Sequence, residues 1–222
     1  MSGILMLLLL LLAATLPAII ALFWLRAQKS RLTLPWFLVF FAGGIASLLP
    51  AALIQSFFPY FGKGGFYGMG QLFFGVFIRV ALVEEASRFF TLVPLLKAGA
   101  RRRPIDSAFS AALGLAAGLG FAAMENAFYG TANIQITLLR ALTAAPLHGA
   151  CGISAGAAVS SAKSSPIKAL GLFISSVIIH GAYNLMIVNP ALPSFLAIPA
   201  AFAALFASVH LIKTPGKTEM PL

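Results

Sequence analysis

The chain has 222 residues, of which 60% are hydrophobic and only 9% charged, and its mean hydropathy is +0.98. A water-facing exterior is typically about a quarter or more charged side chains, so a soluble globule is excluded and an integral membrane protein is implied. The formal charge of +10 does not point to nucleic acid, because the basic residues stand in short clusters between apolar runs rather than on a face with stacking aromatics. The single cysteine, Cys151, excludes an intrachain disulfide.

Seven apolar runs approach the ~20 residues a helix needs to cross a ~30 Å hydrocarbon core. They cover 3–25, 34–58, 70–96, 105–129, 135–161, 167–189 and 192–212. The expected fold is therefore all-α and polytopic, with about seven transmembrane helices in one membrane domain, 1–222, and a motif-bearing core at 70–189. The first run has no basic residue ahead of its apolar stretch, so it reads as a retained anchor rather than a cleaved signal peptide.

The connecting segments alternate in charge. Arg26, Lys29 and Arg31 follow the first run; Lys97, Arg101, Arg102 and Arg103 follow the third. Lys163 and Lys168 follow the fifth, Lys213 and Lys217 the seventh, and the segments between hold little beyond Lys63. By the positive-inside rule the N-terminus lies outside and the C-terminus in the cytoplasm, a pattern that suits a bacterial inner membrane.

Ionisable residues inside the runs mark the candidate site, since a charge at the bilayer centre costs roughly 2.5–3.5 kcal/mol on insertion scales. In the third run, Glu84-Glu85-x-x-Arg88 lets either carboxylate meet the guanidinium on one helical face while the other carboxylate faces a cavity. The fourth run carries Gly114 and Gly118, a small-xxx-small face for helix packing. It ends in Gly120-Phe-Ala-Ala-Met-Glu125-Asn126 and Tyr129, and Glu125 has two readings: an ion pair with Arg140, or a catalytic or ligand role.

The fifth and sixth runs supply His148 and the face-sharing pair His180 and Asn184. Small residues after His148, among them Gly149, Gly152 and Gly156, permit close approach of a neighbouring helix or a substrate segment. Cys151 reads as a small buried hydrophobe rather than a nucleophile. Asp106 with Ser107 marks a helix start after the arginine-rich loop; His210, near the end of the last run, is assigned no role.

Together the glutamates, histidines and Asn184 suffice for amide hydrolysis: a carboxylate takes a proton from water, and imidazole and carboxamide orient the water and stabilise the oxyanion. The same atoms can hold zinc through His148, His180 and Glu85 with water in the open position, although no His-Glu-x-x-His segment is present. Two other uses of the cluster compete with hydrolysis. One is proton relay in a proton-coupled transporter or ion-conducting protein; the other is a silent polar packing network.

In order and spacing, Glu84-Glu85-x-x-Arg88, Gly120 to Tyr129, His148 after Arg140, and His180-x-x-x-Asn184 resemble the PrsW family of intramembrane proteases, allied to the CAAX prenyl endopeptidase and Abi superfamily. The resemblance spans about Leu72 to Leu185. The CAAX enzymes place a phenylalanine four residues before the first histidine, where this chain has Ala144, and set their paired glutamates one residue further from the arginine; both differences favour the PrsW branch. The resemblance implies a membrane protease acting on a membrane-associated protein or peptide. Its implied catalytic set is Glu84, Glu85, His148, His180 and Asn184, with Glu84 as water-activating base, His148 assisting it and His180 with Asn184 at the oxyanion; Glu85, Arg88 and Glu125 are supporting or ligand positions, and Asn126 is a further supporting residue. It leaves the zinc requirement and the oligomeric state open.

Overall fold

The computed structural model describes residues 3–28, 30–58, 68–131 and 133–213, all of whose regular structure is helical. Helices α1 (Gly3–Ala27) and α2 (Leu34–Ser56) are followed by α3 (Met69–Phe73), a π-helical stretch (Phe74–Leu82) and α4 (Val83–Ala100), which run on without a break. Then come α5 (Ser107–Gly130), α6 (Ile134–Leu142), α7 (Ala144–Ser161), α8 (Pro166–Val188), a single tight turn (Ser194–Leu196) and α9 (Ala197–Lys213). Lys29, Lys63 and Lys217, used above for the charge pattern, lie outside the described residues.

The all-α membrane architecture is as expected, but the count of seven spans is not confirmed. Five helices are long and apolar enough to cross a membrane, and a sixth span results if α6 and α7 are taken together. The third expected run is continuous helix from Met69 to Ala100, yet Arg79, Glu84, Glu85, Arg88 and Lys97 leave it too charged to qualify by composition. The fifth is broken at Thr143, where α6 and α7 meet at a bend of 46°. Pro146 accounts for the break: its nitrogen carries no hydrogen to donate to the Leu142 carbonyl, and its ring crowds that carbonyl. The Tyr183 hydroxyl donates to Thr143 Oγ1 at 2.9 Å, fastening the break to α8.

Helix α5 is the centre of the bundle, buried along most of its length, whereas α1, α2, α8 and α9 are buried over less than a third of theirs. The physical reason is its glycines. A Cβ on Gly118 would lie 2.1 Å from the His148 carbonyl oxygen, and one on Gly114 would lie 2.1 Å from that of Gly152. On the facing helix, Gly152 and Gly156 meet the Gly114 and Ser110 carbonyl oxygens in the same way. Backbone thus rests on backbone along α5 and α7, and the small residues following His148 serve a neighbouring helix of the same chain. Gly44 of α2 closes on the Ala117 carbonyl by the same device.

Asp106 caps α5 by accepting from the Phe109 N–H at 2.7 Å and is salt-bridged to Arg31. Arg103 stacks on Trp36 and Phe109, and Lys213 lies 6.0 Å over the Trp24 ring. The ends of α1, α4 and α9 and the starts of α2 and α5 are thereby gathered into one basic rim. A hydrogen bond from Ser160 to Ser107 brings the end of α7 to the same level.

Replacing Gly118 with Ala drives a methyl group into backbone that has no rotamer to yield. The substitution is expected to destabilise the protein by about 1–3 kcal/mol, the usual cost of overpacking, read as a lower unfolding transition in detergent. An unchanged transition would refute the α5–α7 contact.

Candidate active site

The π-helical stretch ends at Leu82, one residue ahead of the paired glutamates. Its wider turns set where Glu84 and Glu85 emerge, and such departures from regular helix are frequent at functional sites. Phe77, within that stretch, packs its ring on Gly181, the residue after His180. This contact locks α8 against the strand of helix that carries the carboxylates.

The two carboxylates divide their work. Glu85 Oε2 accepts from Arg88 Nη1 at 2.5 Å, and Glu85 Oε1 is 2.8 Å from His180 Nδ1. Glu84 Oε1 accepts from Gln55 Nε2 at 3.0 Å. Its other oxygen, Oε2, lies 3.7 Å from His180 Nε2 and is buried with no hydrogen-bond partner. Since Glu85 is held by a guanidinium, it is the acceptor for the His180 Nδ1–H, which leaves Nε2 facing Glu84.

His148 is held from both sides. Arg88 Nη2 donates to its Nδ1 at 3.0 Å, so its proton sits on Nε2, which donates to Glu125 Oε2 at 2.8 Å. Glu125 in turn pairs with Arg140 Nη2 at 2.7 Å, and Arg140 Nε donates to Asn126 Oδ1 at 2.9 Å. The ion-pair reading of Glu125 is therefore observed, and the carboxylate touches His148 as well. Phe121 floors the arrangement, with the Arg88 guanidinium 4.6 Å from its ring centroid and the His148 ring 5.1 Å away. The two imidazoles stand perpendicular at 4.9 Å between centroids.

One polar chain therefore runs His180–Glu85–Arg88–His148–Glu125–Arg140–Asn126 across α8, α4, α7, α5 and α6, with Glu84 beside it. Arg88, Glu85, His148, His180 and Glu84 are at most 5% exposed, while the Glu125 and Arg140 side chains are 15% and 18% exposed and form the chain's open end. Three carboxylates face two guanidinium groups, which pair with Glu85 and Glu125, so Glu84 has an imidazole rather than a guanidinium beside it. Glu84 Oε2, the oxygen without a hydrogen bond, is where the group can take a proton or a cation.

Glu84, His148 and His180 each offer one ligand atom, and these three atoms lie within 4.8 Å of one another. Ligand arms of about 2.0–2.2 Å put donors on a tetrahedral zinc somewhat closer than this, so a small contraction seats an ion. Glu84 Oε2 and His180 Nε2 are open toward such an ion, and His180 is oriented by Glu85 as ligating histidines usually are. His148, with both ring nitrogens engaged by Arg88 and Glu125, would join by giving up one of those hydrogen bonds. The residues fit a metal of the zinc type, in a group built on Glu84; Glu85, named with the histidines from sequence, is committed to Arg88 and His180.

Asn184, one turn beyond His180, is half-buried and stands outside the polar chain. Cys151 is buried, its thiol facing the Ser176 carbonyl at 3.7 Å, and His210 contacts the Ala207 carbonyl of its own helix. Sequence reasoning missed Gln55. A lone carboxamide near the end of an apolar run was the available signal, because a polar side chain at that depth needs a partner.

Fold and site together define a helical integral membrane protein with a buried Glu/His/His cluster. The model of the PrsW family intramembrane metalloproteases matches residues 33–212, and the chain belongs to that family. No match was found among curated proteins or solved structures. Family membership supports intramembrane protease activity on membrane-embedded protein substrates.

Proposed function

We propose that the protein hydrolyses a peptide bond in a membrane-associated protein, with Glu84 as the carboxylate that faces the reacting water. The observation that carries this reading is Glu84 Oε2: buried, without a hydrogen-bond partner, and 3.7 Å from His180 Nε2. A buried carboxylate oxygen left unpaired is costly in stability, and a proton acceptor that must stay available is a reason to keep one.

In this reading a water between Glu84 Oε2 and His180 Nε2 gives its proton to Glu84 as its oxygen attacks the scissile carbonyl. Glu84 later returns the proton to the departing amine. Gln55 holds the other carboxylate oxygen so that Oε2 stays directed at the water, and Glu85 fixes the His180 ring. The oxyanion needs a donor; with the His180 proton engaged by Glu85, the Asn184 carboxamide is left for that task. Arg88 and Glu125 hold His148, and Arg140 and Asn126 hold Glu125. Glu84, His148 and His180 would hold a zinc-type ion, which when bound polarises the scissile carbonyl and acidifies water.

The basic rim faces the cytoplasm in this reading, with the N-terminus outside, in a bacterial inner membrane. His148 lies thirteen residues before Ser161 on α7, about 20 Å from that rim at ~1.5 Å per residue. The exposed end of the polar chain, Glu125 and Arg140, then opens toward the opposite, outer surface. With the native Cys151 buried, a Thr131→Cys protein is expected to react with a membrane-impermeant maleimide applied from outside; labelling only after the membrane is breached would reverse the orientation.

New protein N-termini in membranes of cells making the wild type or Glu84→Gln, at matched folded amounts, test the reaction itself. Cleavage products are expected with the wild type alone, and Gln55→Leu is expected to lower their rate of appearance by about 10–100-fold, the usual effect of losing a group that orients a site residue. Metal analysis of the Glu84→Gln protein then assigns the residue: loss of metal marks a ligand, retention a proton acceptor. Indistinguishable N-terminal profiles would overturn the protease reading.

A further inference from the structure

Two cavities meet at the basic rim, and no residue of the polar chain lines either of them. One, of about 430 Å³, runs between α1, α5, α7 and α9 and is walled by apolar side chains such as Leu16, Ile20, Leu119 and Phe206. The other, of about 400 Å³, is more polar, with Gln28, Ser30, Arg31 and Asp106 among its lining residues beside Phe109 and Ile212. Trp24 and Lys213 line both, so the two form one slot: apolar along the bundle, charged and hydrogen-bonding at its mouth.

Charge and length restrict what fits there. Asp106, the acidic residue at the mouth, is already engaged by Arg31 and by the start of α5. Arg31 and Lys213 against Asp106 leave one net positive charge, and the Lys213 side chain is exposed. From Phe202 to Lys213, both on the apolar wall, α9 advances eleven residues, about 16 Å at ~1.5 Å each. That is close to the hydrocarbon depth of one leaflet, half of ~30 Å. Lys213 then stands at headgroup level and Phe202 near the midplane. A second helix, about 10–12 Å across, would leave the cationic mouth without an acid, whereas basic pockets between membrane helices suit anionic lipid headgroups.

We infer that this slot binds one anionic phospholipid, with an acyl chain along the apolar wall between α1 and α9 and its phosphate against Lys213 and Arg31. The site shares no lining residue with the polar chain, and it ties α1 and α9 together through a lipid of the leaflet that the basic rim faces.

The test is native mass spectrometry of the full-length protein in detergent, titrated with phosphatidylglycerol, with phosphatidylcholine of the same chains, and with glycerol 1-phosphate. The wild type is expected to retain one phosphatidylglycerol in preference to phosphatidylcholine and not to retain glycerol 1-phosphate. Lys213→Gln is expected to weaken phosphatidylglycerol binding about fivefold, the contribution of one basic residue at an anionic surface, leaving phosphatidylcholine unchanged. Ala21→Phe, which narrows the apolar wall, is expected to weaken both lipids. Equal retention of the two lipids, a Lys213→Gln protein that binds as the wild type does, or glycerol 1-phosphate bound as tightly as the lipid would each overturn the proposal. Lipid-free unfolding transitions control for folding; if Ala21→Phe fails to fold, Lys213→Gln, at an exposed helix end, carries the test.

Discussion

The buried pair of Glu85 and Arg88 is the interaction on which the site depends. Its two members, one helical turn apart on α4, each have an atom left over after bonding one another. Glu85 spends its second oxygen on His180, and Arg88 spends its second amino group on His148. Two imidazoles from separate helices are thereby brought face to edge by a single short segment. Buried ion pairs are weak sources of net stability, so their worth here lies in what they orient.

A polar assembly of this size in a membrane interior requires a scaffold that cannot slide. The glycine contacts of α5 and α7 provide it, because backbone pressed on backbone fixes register and spacing together. His148 belongs to this contact through its own carbonyl oxygen, which lies against Gly118. The α6–α7 break then lets the chain carry Arg140 back to Glu125, which a straight helix through Thr143 would carry elsewhere. Packing and chemistry thus share residues, and the glycines act on the site without touching it.

Much of this was legible from residue type and spacing. Charges in apolar runs are few, so Glu84, Glu85, Arg88, Glu125, His148 and His180 identified themselves by cost alone, and the three-residue spacing of Glu85 and Arg88 made their pairing a local matter. The Asp106 cap and the glycine face of α5 were equally local. What stayed hidden depends on which side chains from distant helices meet. Nothing in the spacing says that Gln55, twenty-nine residues before Glu84, holds that carboxylate, or that Glu84 rather than Glu85 keeps an oxygen unbonded beside His180. The π-helical stretch has no sequence signature, and the span count fell short because the run with the most chemistry is also the least apolar.

The central claim is that the adjacent glutamates do opposite things: Glu85 holds the structure together, and Glu84 keeps an unbonded oxygen available for reaction. The direct measurement is the unfolding transition of Glu84→Gln beside that of Arg88→Met, in the same detergent. Arg88→Met strands a buried carboxylate and is expected to cost about 3–5 kcal/mol. Glu84→Gln removes a buried carboxylate that no guanidinium holds and keeps the shape, so its transition is expected at or above that of the wild type. A Glu84→Gln protein that falls as far as Arg88→Met would make Glu84 a structural residue and contradict the account.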